Sequence, residues 1–209
     1  MTITSENTKE EQENLEEFHK NSQNEFGDIC APLLDEKYLK NARILPNREA
    51  ILDKVKPNGI YVEVGTQTGG FAKKILETCK PAKLHIIDIS YCLFEHEFFK
   101  PYIEQGIVII HEGDSSTILS TFDDKYFDMI YVDGDHFYDG VKKDLEQAVL
   151  KIKDDGIIIC NDYTIYSPFE KIKYGIPRAL NETCINHNFE FVYMGLHPYG
   201  YHDVAIKKI

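Results

Sequence analysis

Residues 60–70 read IYVEVGTQTGG, and their reading decides the fold. A short β-branched run ends on acidic Glu63 and turns through Gly65 and Gly69-Gly70 into a segment where Phe71, Ile75, Leu76 and Cys79 share one helical face. The pattern predicts a buried strand, a tight glycine turn and a helix N-terminus. Glycine lets the backbone approach a bound group closely, and the free amides at the helix start offer donors to it, so the turn favours a nucleotide-like ligand. The spacing is Glu63-x-Gly65-x-Gln67-x-Gly69. Gln67 stands where a dinucleotide GxGxxG turn has its middle glycine, which disfavours a nicotinamide site.

Working outward, strand and helix signals alternate. Asn47 can cap a helix through Ala50, Ile51, Leu52 and Val55, stopped by Lys56-Pro57-Asn58-Gly59. After the glycine turn come strands at 84–89, 107–110, 129–132 and 157–160. A helix is predicted over 91–104, and Gly113-Asp114-Ser115-Ser116 forms a strand-to-helix turn. Val141, Leu145, Ala148, Val149 and Ile152 give the clearest amphipathic spacing, and Asp155-Gly156 reads as the turn after it. A helix over 176–186 admits Pro177 in its first turn, and two terminal strands, 189–194 and 201–206, close the chain as a hairpin. This is an α/β pattern: a doubly wound, mainly parallel sheet of about seven strands with an antiparallel C-terminal hairpin.

With 209 residues the chain suits one domain with a sizeable core. Residues 37–209 carry that domain, and residues 1–36 read as an acidic extension or lid in which Leu15 and Phe18 give one weak helical face. Net charge is -12, and the ten acidic and two basic side chains of residues 1–36 hold -8 of it. Such a surface repels nucleic acid. No apolar run is long enough for a membrane span and no leader pattern opens the sequence, so a cytoplasmic protein is expected. Cys30, Cys79, Cys92, Cys160 and Cys184 are widely spaced and read as buried thiols of a reducing compartment, rather than a disulfide frame or a zinc site. A homo-oligomer is left open.

Ligands of open parallel sheets bind beyond the C-terminal strand ends. Those ends carry Glu63, Asp88, Asp114, Asp133 and the pair Asn161-Asp162. Acids gathered on one rim repel each other, so a partner with donors or positive charge is expected among them. Asp88 lies nineteen residues beyond Gly69, about the offset of an acid that accepts from ribose hydroxyls, although helix capping is the plainer role. Asp114 suits an N-cap. His136 follows Asp133 by three residues on the same rim.

The segments VEVGTQTGG, HIIDIS, FDMIYVDGDHFYDGVKKDLEQA and GIIICNDYT resemble class I S-adenosylmethionine-dependent methyltransferases, in particular the small-molecule O-methyltransferases typified by macrolide-sugar enzymes and distantly related to catechol O-methyltransferase. The likeness covers roughly residues 59–207, with Asp133-Gly134-Asp135-His136 its most specific element. It implies a Rossmann-like class I methyltransferase fold. Glu63, Gly65, Thr66 and Gly69 would shape the S-adenosylmethionine pocket, Asp88 would hold the ribose, and Asp114 and Ser115 would face the adenine. Asp133, which also borders the cofactor, would bind a divalent cation, Mg²⁺ by its chemistry, with Asn161 and Asp162. His136 would be the general base. Asn161 departs from the acid or histidine often found before the position of Asp162, and an amide is the weaker ligand.

The expectation is methyl transfer from S-adenosylmethionine to a hydroxyl of a small molecule, a sugar among the candidates, with metal assistance. Its rivals are a metal-free methyltransferase on another acceptor, a non-catalytic S-adenosylmethionine- or nucleotide-binding module, and an NAD-dependent oxidoreductase.

Overall fold

The computed structural model describes residues 25–209 together with Asn14, Glu17, Lys20 and Asn21. Leu15 and Phe18 lie outside the described residues. Two short 3₁₀ turns, Gly27–Ile29 and Glu36–Tyr38, precede β1 (Arg43–Leu45) and a single helical turn, α1 (Glu49–Leu52). Then come β2 (Ile60–Val64), α2 (Gly70–Cys79), β3 (Lys83–Asp88), α3 (His96–Glu104), β4 (Val108–Glu112) and α4 (Ser115–Ser120). β5 (Phe127–Val132), α5 (Tyr138–Lys151) and the long β6 (Ile152–Tyr163) follow. A small hairpin, β7 (Tyr166–Ser167) and β8 (Ile172–Lys173), leads into α6 (Ile176–His187), β9 (Phe189–Gly195) and β10 (His202–Lys208).

One sheet of eight strands in the order β1-β9-β10-β6-β5-β2-β3-β4 runs through the molecule. Only β10 is antiparallel to its neighbours, pairing β6 on one side and β9 on the other. The doubly wound α/β reading with an antiparallel C-terminal hairpin therefore holds. Helices cover both faces. On one, Ile51 and Leu52 of α1, Phe71, Ile75 and Leu76 of α2 and Phe99 of α3 pack on Tyr61, Ile86 and Tyr131. On the other, Leu119 of α4, Val141, Leu145 and Ala148 of α5 and Leu180 of α6 pack on Val62, Ile87, Ile130 and Ile158. Each fully buried Leu or Ile contributes on the order of 2 kcal/mol, so the two layers hold the sheet rim rigidly.

Four local expectations are corrected. The sheet has eight strands rather than seven, because β1 adds to the edge beside β9 with Arg43 opposite Tyr193. Three residues with Ile44 71% exposed carry no alternating signal of their own; the partner strand creates this one. Asp155-Gly156 is a bulge inside β6 rather than a turn ahead of a new strand: the ladder to β5 shifts register from Phe127 opposite Ile152 to Met129 opposite Ile157, and a Cβ on Gly156 would lie 2.7 Å from the Ile152 side chain. α3 begins at His96 instead of 91, because the Tyr91 side chain is drawn into the core, where its hydroxyl donates to the Ile86 carbonyl at 2.7 Å. The helix from Asn47 is one turn long, although Asn47 Oδ1 does accept from the Ala50 amide at 2.9 Å.

Candidate active site

The glycine turn locks β2 to its neighbours. Gly65 has φ +83°, and a Cβ there would sit 1.9 Å from the Asp133 carbonyl oxygen. The ends of β2 and β5 thus close to a distance only glycine allows. Gly69, also at positive φ, starts α2 where a Cβ would strike the Phe99 ring at 2.5 Å. Its role is packing and turn geometry, and it does not border the cleft. Gln67 adopts φ +49°, and its amide donates to Asp88 Oδ2 at 2.6 Å, while the Ser90 amide donates to Oδ1 at 3.0 Å.

Beyond these ends lies a cleft of about 680 Å³. Gly65, Asp88, Asp114, Ser115, Asp133 and His136 all border it, so the structure brings together most of the residues singled out in the sequence. Glu63 and Thr66 stand just behind, buried, and Glu63 Oε2 and Thr66 Oγ1 have no hydrogen-bond partner. Burial pushes the Glu63 carboxyl up to about 8, with the nearby Asp88 charge adding to the rise and Thr66 and Arg48 opposing it. Asp114 is the N-cap of α4, accepting from the Thr117 amide at 2.8 Å and the Ser116 hydroxyl at 2.9 Å, and these bonds hold it below the usual carboxylate range. Its capping and cleft-facing positions coexist. The Ser115 hydroxyl is spent on buried Asp144, 2.5 Å away.

At the other group of predicted residues, His136 Nε2 lies 3.7 Å from Asp133 Oδ1 and 3.5 Å from Asp162 Oδ2 and makes no hydrogen bond. The imidazole stacks on Tyr174, centroids 4.5 Å apart, and the His136 carbonyl accepts from the Gly175 amide at 2.8 Å. Burial pulls this histidine down, but Asp162, Asp133 and Glu170 together prevail and raise it. Asp133 is held well above the usual range by burial; His136 opposes this, and repulsion from Asp162, Glu63 and Asp203 adds to it. Asn161 Nδ2 donates to buried Asp203 Oδ1 at 3.2 Å. Among the described residues no group of three or more His, Cys, Asp or Glu is arranged to hold a metal ion.

Sequence reasoning missed Glu170, Asp135 and Asp203. Glu170 reaches the cleft from the β7–β8 turn, where Tyr174 donates to its Oε2 and Ser167 Oγ accepts from its amide at 3.1 Å. Two-residue strands leave no periodic signal, so nothing announced it. Asp135 stood beside His136 in the quoted motif, and Asp203 precedes the apolar run Val204-Ala205-Ile206 of a terminal strand; an acid at the head of such a run was the available clue.

The geometry accepts the proposed cofactor. Unpartnered oxygens on Glu63 and Thr66, a glycine cradle and an acid-lined cleft with no lysine or arginine among its described lining residues suit a ligand bearing positive charge and amine donors.

Comparison with known proteins agrees. Residues 62–163 match a family model described as a methyltransferase domain. No curated protein matches the chain. Among solved structures, the PH0226 protein from Pyrococcus horikoshii OT3 aligns with TM-score 0.58 at 13% identity, covering 83% of this chain and 89% of that one. The methyltransferase CalH, in complex with S-adenosylhomocysteine (SAH), aligns with TM-score 0.57 at 13% identity over 77% of this chain and 55% of its own. A spermidine synthase bound to the transition-state analogue AdoDATO gives TM-score 0.56 at 16% identity, covering 77% of this chain. The chain spans 60% of that synthase's length, so the likeness is one of fold. With 1041 solved chains matched, the fold alone selects no acceptor. The glycine turn, Asp88, Asp133, His136 and Asp162 all fall within 62–163, the stretch that matches the methyltransferase-domain model, and the fold is the one these solved structures share.

Proposed function

We propose that the chain transfers a methyl group from S-adenosylmethionine to a hydroxyl of a small molecule, with a sugar as the acceptor class its sequence resemblance favours. The observation that carries this reading is His136 Nε2, unpartnered and set between two carboxylates in the same cleft as Gly65 and Asp88. S-adenosylmethionine, when bound, supplies the activated methyl carbon. The protein then has two tasks, to align the acceptor and to take its proton. An alcohol is a poor nucleophile near neutrality, and a base within reach of its proton removes that obstacle. His136 Nε2 would accept the proton, and Asp133 and Asp162 would stabilise the imidazolium so formed. Stacking on Tyr174 and the Gly175 bond hold the ring in place meanwhile. Glu63 and Thr66, with open acceptor atoms, would receive donors of the cofactor, and Asp88, pinned by two amides, would receive its ribose.

A metal-assisted form of the same reaction is favoured by one feature: burial, with repulsion from Asp162 adding, disfavours the Asp133 carboxylate, a cost that a cation held by Asp133 and Asp162 would relieve. Those two oxygens and the Asn161 carbonyl are hard donors of the type Mg²⁺ takes, and such an ion would supply Lewis-acid polarisation of the acceptor. Five free cysteines and the acidic surface support a small-molecule enzyme of a reducing compartment with no nucleic-acid partner. No helix among the described residues is long and apolar enough to cross a membrane.

Calorimetric titration with SAH, with and without Mg²⁺, tests the core of the reading. Binding followed by methyl transfer in a panel of sugars, phenols and alcohols, lost in His136→Ala, is the expected result. Absence of SAH binding in both conditions would overturn it. Unchanged turnover in Asp162→Ala and in EDTA would remove the metal alone.

A further inference from the structure

Beneath the cleft, four adjacent strands bring polar groups to one face of the sheet, among the residues that otherwise pack on α1–α3. They are Glu63 on β2, Tyr131 on β5, Asn161 at the end of β6 and Asp203 on β10. Asp203 is 1% exposed, and its strand continues through Val204, Ala205 and Ile206, all buried. A carboxylate here costs several kcal/mol to desolvate, and an apolar residue would pack without that cost. Both of its oxygens are occupied. Oδ2 accepts from the Tyr131 hydroxyl at 2.7 Å, and Oδ1 accepts from Asn161 Nδ2 at 3.2 Å.

The two donors occupy telling positions. Tyr131 stands two residues before Asp133, and Asn161 stands immediately before Asp162, the two acids that flank His136. Asp162 itself has φ +55°, a left-handed conformation that costs a non-glycine residue about 1 kcal/mol and persists only when its surroundings fix it. The bond from Asn161 to Asp203 supplies such fixing one residue upstream. Positive charge reaches the group from the opposite edge of the sheet. β1 pairs with β9, and Gly195, where a Cβ would meet the Arg48 backbone at 2.9 Å, lets that backbone close in. Arg48 then lies over the Phe71 ring at 4.7 Å with Nη1 3.5 Å from the Tyr131 hydroxyl.

We propose that Asp203 is a positioning residue: by holding Tyr131 and Asn161 it fixes the ends of β5 and β6, and so sets Asp133 and Asp162 on either side of His136. The inference rests on the reading of His136 as the proton acceptor. It also gives the Asn161 side chain a place in the frame, its amide nitrogen bound to Asp203.

Two variants test it. In Asp203→Asn only one oxygen remains, so Tyr131 and Asn161 cannot both be accepted; Tyr131→Phe removes one donor with little change of shape. Leu145→Ala serves as a control that loosens the fold from the other face. Three quantities are measured on the full chain: melting temperature, SAH affinity, and the ring resonances of His136 in ¹⁵N-histidine-labelled protein. Both variants should bind SAH within about threefold of wild type while shifting the His136 resonances, and Leu145→Ala should lower the melting temperature without shifting them. With an acceptor in hand, kcat should fall about tenfold or more in Asp203→Asn with the acceptor KM little changed. Unmoved His136 resonances in both folded variants would overturn the proposal, as would shifts of the same size in Leu145→Ala. Failure of wild-type protein to bind SAH would instead count against the methyltransferase reading, and the His136 resonances would still report on Asp203.

Discussion

The Gln67 amide and the Asp88 carboxylate are joined across 2.6 Å, linking the glycine turn after β2 to the end of β3. A second amide, that of Ser90, binds the other oxygen, so Asp88 is fixed before any ligand arrives. Preorganisation of this kind lowers the entropic cost of binding. Asp88→Ala removes both the fixed acceptor and the bonds that shape the turn. SAH affinity should fall about 10- to 100-fold, roughly 1.4–2.7 kcal/mol, measured by calorimetry.

Glu63 should couple cofactor binding to protons. Its carboxyl is pushed up to about 8 by burial, from an ordinary 4.5. The fold therefore favours the protonated form, and the free protein should lose stability as pH rises from about 4.5 through about 8. An ammonium placed beside it would draw the proton off. SAH binding near pH 7 should release protons, seen as a dependence of the calorimetric heat on buffer ionisation enthalpy, and affinity should rise between pH 6 and 8. Glu63→Gln should abolish both effects.

His85 sets an acid limit on the fold. Its Nδ1 meets His111 Nε2 at 2.9 Å, and burial among Phe122, Tyr126 and Phe127, with His111 and Lys83 adding, pulls it down from 6.5 to about 4. The unfolded chain binds this proton first, so the contribution is complete above pH 6.5 and is lost as pH falls towards 4. The loss is of order 2–3 kcal/mol at most. Thermal unfolding of His85→Leu should show a flatter dependence across that interval than the wild type.

Gly65→Ala combines two penalties, a left-handed φ and a Cβ placed 1.9 Å from the Asp133 carbonyl oxygen. Backbone strain alone costs about 1 kcal/mol, and the clash requires β2 and β5 to part. A stability loss above about 2 kcal/mol in urea unfolding is expected, together with loss of SAH binding.

The gathering of the strand-end residues on one rim was legible because it follows from local pattern. Glu63, Gly65, Asp88, Asp114 and Asp133 each end a strand, and alternation of strand and helix already places such ends on one rim. Asp133 and His136 are three residues apart, so their nearness followed from the motif. What stayed hidden depends on partners remote in sequence. β1 exists because β9 lies beside it, and Asp203 meets Asn161 across 42 positions and Tyr131 across 72. Asn161 showed the same limit: its residue type suggested a ligand, while its direction is set by a strand near the other end of the chain. The bulge in β6 at Asp155-Gly156 arose likewise, since it is set by the register against β5, where Phe127 faces Ile152 and Met129 faces Ile157.

The β7–β8 hairpin rests on residues 25–32. Arg178 donates to the Asp28 carbonyl at 2.6 Å, Asn181 to the Pro32 carbonyl at 2.8 Å, and Lys173 to the Glu25 carbonyl. Phe26 meets the Tyr166 ring edge-on at 6.5 Å. Glu170, the hairpin's contribution to the cleft, is thus carried by two stretches that lie outside the strands bearing Gly65 and Asp88. Mutational drift in these stretches can reshape one end of the cleft while leaving the other intact.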